Sequence, residues 1–269
     1  MVLLSVKSIQ GRREYMEDRY AYLEDKGIII AMICDGHGGY QVAAETIKNL
    51  PQLILDALHK TQGNYVKHSE AIRSTIMNWG SDMRTHHSGS TLTGVVMKND
   101  TIYIFNLGDS RTCMKLAPST FIYMLKPSFN FRGVFMDRIL VDYAQPQFFC
   151  TTDHDGESDE YTRVNSSGGK IVGKRLNGIL SVTRALGDED VGPGISYVPD
   201  VYWVKKERVI GPILMYSDGI YEPQRSNNVN FDDRNLYYIA NRFNTDVLVT
   251  YAYNKGSDDN LTAMLVSFK

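Results

Sequence analysis

The chain has 269 residues, 43% of them apolar, and its 29 lysines and arginines nearly balance 31 aspartates and glutamates for a formal net charge of −2. With the two signs interspersed, there is no basic stripe for nucleic acid and no polybasic patch for a membrane surface, and no apolar run approaches a transmembrane span. Val2 to Leu4 is too short for the core of a secretory signal, so a soluble, intracellular protein of the cytoplasm is expected, the nucleus being the alternative.

Leu3 to Ile9 and Ile28 to Cys34 read as strands. Gln41 to His59 follows with Ala43, Ala44, Ile47, Leu50, Ile54, Leu55 and Leu58 mainly on one face, which predicts a helix that Pro51 kinks or divides. Residues 69 to 84 show a weaker helical spacing. Thr91 to Met97 and Thr101 to Asn106 are strands separated by Lys98-Asn99-Asp100, an antiparallel hairpin that disfavours an all-parallel sheet. Residues 116 to 150 break the pattern: prolines are scattered among Phe121, Tyr123, Phe129, Phe131, Phe135, Phe148 and Phe149, and the stretch is too apolar for a disordered linker. An ordered excursion that packs on the body and exposes an aromatic surface is expected there. Ile213 to Ser217 and Leu261 to Phe268 are further strands, and residues 231 to 243 and 245 to 253 are weaker helices. The sum is one domain with an antiparallel β core covered by helices. Cys34, Cys113 and Cys150 lack metal-ligand spacing and read as reduced, buried thiols. His59 and His68 read as surface residues, and His86-His87 as an exposed loop pair without an acidic partner in sequence.

The acidic residues that stand out lie at strand ends: Asp35 after Ile28 to Cys34, Asp109 after Ile102 to Leu107, Asp218 after Ile213 to Ser217, and Asp259 just before the last strand. Neighbouring antiparallel strands put the end of one and the start of the next on the same edge, so one rim can collect them all. Several carboxylates so close repel one another, and hard divalent cations with oxygen ligands are what make such a cluster stable. A metal pair roughly 3.5–4 Å apart activates a water in line with phosphorus, which points to phosphoester hydrolysis. Arg13 offers a guanidinium fork for phosphate oxygens, and His37 is placed to protonate a leaving oxygen. An isolated Asp-Gly is usually only a turn, so the weight rests on several motifs occurring together and in order.

Arg13-Glu14-Tyr15-Met16-Glu17-Asp18, Asp35-Gly36-His37-Gly38-Gly39, Ser88-Gly89-Ser90-Thr91, Asn106-Leu107-Gly108-Asp109-Ser110-Arg111, Thr183-Arg184-Ala185-Leu186-Gly187-Asp188, Ser217-Asp218-Gly219 and Asp259-Asn260 together resemble the ordered motif series of the protein phosphatase 2C, or PPM, family across nearly the whole chain. The resemblance implies an α+β fold, a four-layer α/β/β/α sandwich of two antiparallel sheets flanked by helices. It implies a single catalytic domain over residues 1–269, with 116–150 as an insertion atypical of the family. It further implies a Mg²⁺ or Mn²⁺ pair, with a third, weaker metal, and hydrolysis of phosphoserine and phosphothreonine in phosphorylated proteins without a phosphoenzyme. By that likeness Glu17, Asp35, the Gly36 carbonyl, Asp218 and Asp259 hold the metal pair, with Asp35 bridging. Asp18 orients the nucleophilic water, Arg13 binds phosphate and His37 is the general acid. Asp109, with Glu222 where the family usually has Asp, holds the third metal. Asp153 to Gly169 resembles the segment leading into a flap beside the site, and Tyr221 stands where Trp is common. A monomer is expected, with neither nucleic acid nor membrane as partner. Two other classes stay open at this point: a pseudophosphatase that keeps the fold as a binding module, although no metal carboxylate is missing, and a metallohydrolase of nucleotides or small phosphoesters.

Overall fold

Ile28–Cys34 (β3) is buried along its whole length, and its alternation divides two cores. Ile28, Ile30, Met32 and Cys34 face one core, whereas Ile29, Ala31 and Ile33 face another. A strand buried on both faces lies inside a layered stack, and β3 belongs to a sheet with helices on one side and a second sheet on the other. The computed structural model describes residues 2–126, 135–140, 147–156, 160–221 and 232–268.

The first sheet has seven strands. Arg19–Asp25 (β2) forms one edge, followed by β3, Leu92–Lys98 (β6), Thr101–Leu107 (β7), Asp200–Lys205 (β15), Phe121–Lys126 (β9) and Phe135–Leu140 (β10). The second has five, in the order Val2–Ile9 (β1), Leu261–Phe268 (β17), Val209–Tyr216 (β16), Arg111–Leu116 (β8) and Gln147–Cys150 (β11). Every neighbouring pair in both sheets is antiparallel. The sheets pack face to face through Ile29, Val95 and Ile104 on one side and Met114, Met215 and Met264 on the other. Gln41–Lys60 (α1) and Tyr65–Met83 (α2) cover the outer face of the seven-stranded sheet. Asp233–Arg242 (α4) and Thr245–Asn254 (α5) cover the five-stranded one with Leu236, Tyr237, Leu248 and Val249. This is the expected four-layer α/β/β/α sandwich.

The hairpin expected around Lys98-Asn99-Asp100 is present: Lys98 faces Thr101 in register, and Asn99 takes the positive φ of 56° that the reversal needs. α1 runs unbroken through Pro51, because its buried face, including Leu50, Ile54 and Leu58, holds it against the sheet more strongly than one missing N–H disrupts it. The excursion after Leu116 is ordered where it is described and extends both sheets: β9 and β10 join the seven-stranded sheet beside β15, and β11 joins the five-stranded one beside β8. Its aromatics are partly internal. Tyr123 stacks on Trp203 at 4.1 Å and Phe149 is buried against Tyr202, while Phe121 is exposed. Phe129 and Phe131 lie outside the described residues.

Two expectations are corrected. Cys113 and Cys150 are not separate thiols: they face each other in register on β8 and β11, with Cα atoms 4.2 Å apart, and form a disulfide, leaving Cys34 free and buried. His68 is buried rather than on the surface, because it lies on the sheet-facing side of α2, where Nδ1 meets the Tyr103 hydroxyl at 3.1 Å. His87 is exposed as expected, and in space its Nδ1 lies 2.8 Å from Asp190. No described helix is long and apolar enough to cross a membrane.

Candidate active site

The sheet order carries the acidic residues to one rim. β3 and β7 flank β6 and so run in the same direction, ending just before Asp35 and Asp109. In the other sheet β16 ends before Ser217-Asp218 while its antiparallel neighbour β17 begins after Asp259-Asn260, and the Ser217 N–H donates to the Thr262 carbonyl at 3.0 Å. The polar character continues between the sheets at this end, where Thr91 pairs with Ser110 at 2.7 Å and Thr93 with Thr112 at 2.8 Å. Thr91 Oγ1 also accepts from the Asp35 N–H at 3.2 Å.

Asp35 is the electrostatic centre. Burial pushes its carboxyl well above the usual range, and the charges of Asp18, Asp218, Asp109 and Asp259 push in the same direction. Asp18 is buried, and burial raises its carboxyl to about 6 against the opposing hydrogen bonds of Thr262 and Ser217. Ser217 Oγ donates to Asp18 Oδ2 at 2.8 Å, while Oδ1 is buried without a hydrogen-bond partner among the described residues. Carboxylates from five points of the sequence thus share one site.

Glu17 is held by the chain on both sides. Its N–H donates to Asn260 Oδ1 at 2.7 Å, and its Oε1 accepts from the Gly39 N–H at 2.6 Å. Gly36 packs against the Glu17 backbone so closely that a Cβ there would lie 2.8 Å from the Glu17 carbonyl oxygen. Asn260 Nδ2 donates to the Gln10 and Tyr15 carbonyls at 2.7 and 2.9 Å. The role of Asn260 was not assigned from sequence, although it adjoins Asp259. Its Oδ1 and both Nδ2 hydrogens are used on the loop that presents Arg13, Glu17 and Asp18.

Arg13 reaches the rim half-exposed, with Nη2 2.5 Å from Asp259 Oδ2. His37 stands on Gly36–His37 (β4), which pairs with Gly89–Ser90 (β5), and β5 in turn pairs with Leu186–Gly187 (β14). Across this small sheet His37 Nε2 lies 2.8 and 2.9 Å from the two oxygens of Asp188. Asp188 was quoted as a motif residue only; the signal that could have assigned it is a carboxylate ending the one motif whose strand returns to β5. Asp109 is buried, and its carbonyl accepts from the Tyr221 hydroxyl at 3.0 Å. The Arg111 guanidinium covers the Tyr221 ring at 3.8 Å and grips Asp153 with two bonds, of 2.9 and 2.7 Å. Glu222 lies outside the described residues.

The flap-like segment is bolted down by charge. It includes Tyr161–Ser166 (α3) and the short hairpin of Ile171–Val172 (β12) and Arg175–Leu176 (β13). Glu160, at its base, accepts from Arg184 at 2.9 and 2.5 Å and from Arg163 at 2.5 Å. Arg184 continues to Asp200 at 3.0 Å, which also meets His154 at 3.1 Å. Burial alone would raise Asp200, but the His154 hydrogen bond and the nearby cationic charge hold it down at about 2. Gly108 N–H donates to His154 Nδ1 at 3.2 Å, so the His154 proton sits on Nε2, toward Asp200.

The donor set fits a hard divalent metal: oxygen ligands only, mutually repelling carboxylates around Asp35, and an orphaned oxygen on Asp18. A second cluster, Cys113, Cys150 and Asp233, brings its donor atoms within 4.8 Å of one another but fits a metal poorly. Its sulfurs are bonded to each other, and Asp233 Oδ1 already accepts from Arg111 at 2.7 Å and Tyr216 at 2.6 Å.

Two helix-flanked antiparallel sheets with a carboxylate rim between them define the fold and gather oxygen donors suited to a divalent cation. The sequence matches the profile of the protein phosphatase 2C family over residues 2–261, and the chain belongs to that family, whose members are generally dependent on Mg²⁺ or Mn²⁺. It is 24% identical over 97% of its length to probable protein phosphatase 2C 52 of Oryza sativa subsp. japonica and 26% identical over 97% to probable protein phosphatase 2C 76 of Arabidopsis thaliana. The chain spans about half the length of these curated relatives, 50% and 58% respectively. Among solved structures, serine-threonine phosphatase 2C from Toxoplasma gondii matches with a TM-score of 0.71 at 18% identity, covering 99% of this chain and 94% of that one. A C. elegans sex determining protein matches with a TM-score of 0.75 at 21% identity, covering 100% of this chain and 65% of that one.

Proposed function

We propose that residues 1–269 form one catalytic unit that hydrolyses phosphoserine and phosphothreonine in proteins with the help of two Mg²⁺ or Mn²⁺ ions. The observation that carries this reading is the convergence of Asp18, Asp109, Asp218 and Asp259 on Asp35, with Glu17 fixed beside them. Asp35, Glu17, the Gly36 carbonyl, Asp218 and Asp259 would hold the metal pair, and Asp109 the weaker third ion. Bound there, the metals supply charge neutralisation for the phosphate and a nucleophilic water at neutral pH. Asp18, buried and anchored through Oδ2 by Ser217, presents Oδ1 to orient that water. Arg13 binds the phosphate oxygens, exchanging part of its contact with Asp259 for substrate. His37 donates the proton that the departing serine or threonine oxygen requires.

The test is phosphate release from a phosphothreonine peptide with Mn²⁺, with Mg²⁺ or with EDTA, for wild type and Asp218→Ala. Release that needs metal and is lost in the variant is the expected result; no release by folded, metal-loaded wild type overturns the reading.

A further inference from the structure

His37 presents two ring nitrogens, and one of them is already engaged. Nε2 is held by both oxygens of Asp188, at 2.8 and 2.9 Å, whereas Nδ1 has no hydrogen-bond partner among the described residues. An ionised carboxylate only accepts, so the proton in this contact belongs to Nε2. Nδ1 is then the nitrogen left to meet a substrate.

The surroundings are shaped around this contact. β4 and β14 pair with opposite edges of β5, so the His37 and Asp188 side chains must meet across the middle strand. They do so above Gly89: a Cβ there would lie 2.2 Å from both His37 Nε2 and Asp188 Oδ2. Asp188 is 4% exposed and takes a left-handed conformation, φ 64°, that an L residue adopts only under strain. Its N–H donates to the Ser88 carbonyl at 3.3 Å and its own carbonyl accepts from Val191 at 3.1 Å, so the backbone is pinned where the carboxylate faces the imidazole.

We propose that Asp188 is a positioning residue for His37: its carboxylate keeps the proton on Nε2 and fixes the ring, so that Nδ1 is the nitrogen that serves the departing oxygen. The inference rests on the phosphatase reading. As water attacks phosphorus, the bond to the serine or threonine oxygen breaks and its electron pair stays on that oxygen, which takes the proton carried by Nδ1. His37 leaves the step neutral, with its other proton still on Nε2 and hydrogen-bonded to Asp188. The proton shed by the attacking water returns to Nδ1 through solvent, so the net change is ester plus water to alcohol plus phosphate.

A carboxylate that merely ties β4 to β14 would move stability and all substrates alike, which sets the experiment. Asp188→Asn keeps the shape and tolerates the left-handed turn, and Gly89→Ala pushes the pair apart without replacing either partner. Each is assayed with Mn²⁺ on a phosphothreonine peptide and on p-nitrophenyl phosphate, whose leaving group departs without a proton. Peptide turnover is expected to fall about ten- to a hundredfold and p-nitrophenyl phosphate turnover within about threefold. Adding Asp188→Asn to His37→Gln should cause no further loss on the peptide. Equal losses on both substrates, or no loss, overturn the proposal. If wild type releases phosphate from neither substrate, the phosphatase reading is what fails. Nitrogen-detected NMR of metal-free protein then decides the pairing: an Nε2-protonated His37 that loses this signature in Asp188→Asn supports it, and an unchanged signature overturns it.

Discussion

Asn260, directly after a candidate metal ligand, accepts a 2.7 Å hydrogen bond from the backbone N–H of Glu17, another such ligand 243 positions away. Its amide also donates to Gln10 and Tyr15, so one side chain fixes the loop that presents three functional residues. Asn260→Ala removes these bonds and leaves the Glu17 N–H and the Gln10 and Tyr15 carbonyls without this partner, an expected loss of about 1–3 kcal/mol. Urea unfolding would measure it. Mn²⁺ titration should show weaker binding as well, because Glu17 is released; unaltered affinity would mean the loop holds itself.

Asp18 predicts how the metal-free protein responds to pH. Its folded carboxyl titrates at about 6 against an ordinary 3.8, so the folded state binds the extra proton between these values. Stability from this group is fully present below about 3.8 and is lost as pH rises through about 6, a change on the order of 3 kcal/mol. Asp35 is shifted in the same direction. In EDTA the Tm should therefore fall from pH 5 to pH 7, and added Mn²⁺ should raise it more at pH 7. A metal-free Tm that rises across this window would show that the carboxylates are not crowded as described.

Asp109 stands at the edge of the cluster, buried beneath the Tyr221 contact. Asp109→Ala should leave the fold intact and raise the Mn²⁺ concentration needed for half-maximal turnover about tenfold, equivalent to about 1.4 kcal/mol. The same metal dependence in both proteins would remove Asp109 from the mechanism.

Glu160 joins Arg163 and Arg184 at the base of the flap-like segment, with only 9% of its side chain exposed. Glu160→Gln leaves partly buried guanidinium groups short of a counter-charge and should destabilise the protein by about 3–5 kcal/mol. Hydrogen exchange should quicken first between residues 160 and 196. Uniform exchange across the chain would place the network in the global fold instead.

The Cys113–Cys150 bridge closes a separation of 37 residues. By chain entropy such a loop contributes about 3–4 kcal/mol, so reductant or Cys150→Ser should lower the urea midpoint by a corresponding amount. A midpoint indifferent to reductant would mean the bond does not form in solution.

Much of the framework was legible because its residues carry local signals. The spans of β3 and β17 follow from unbroken or alternating apolar runs, and the Lys98-Asn99-Asp100 turn gives its hairpin directly. The strand-end aspartates were legible for the same reason, since antiparallel order alone gathers them. What escaped depends on contacts that no local pattern records. Asp188 matters only because β14 and β4 share β5, and His68 is internal only because α2 turns that face to Tyr103. The cysteine pairing required knowing that the excursion returns to β8 at the level of Cys113.

β17 is the strand between β1 and β16, preceded at once by Asp259 and beginning just past the Asn260 brace. A chain cut ahead of residue 259 would keep Asp35, Asp109 and Asp218 at their strand ends but would lose Asp259, the Asn260 brace on the Glu17 loop and the strand that joins β1 to β16.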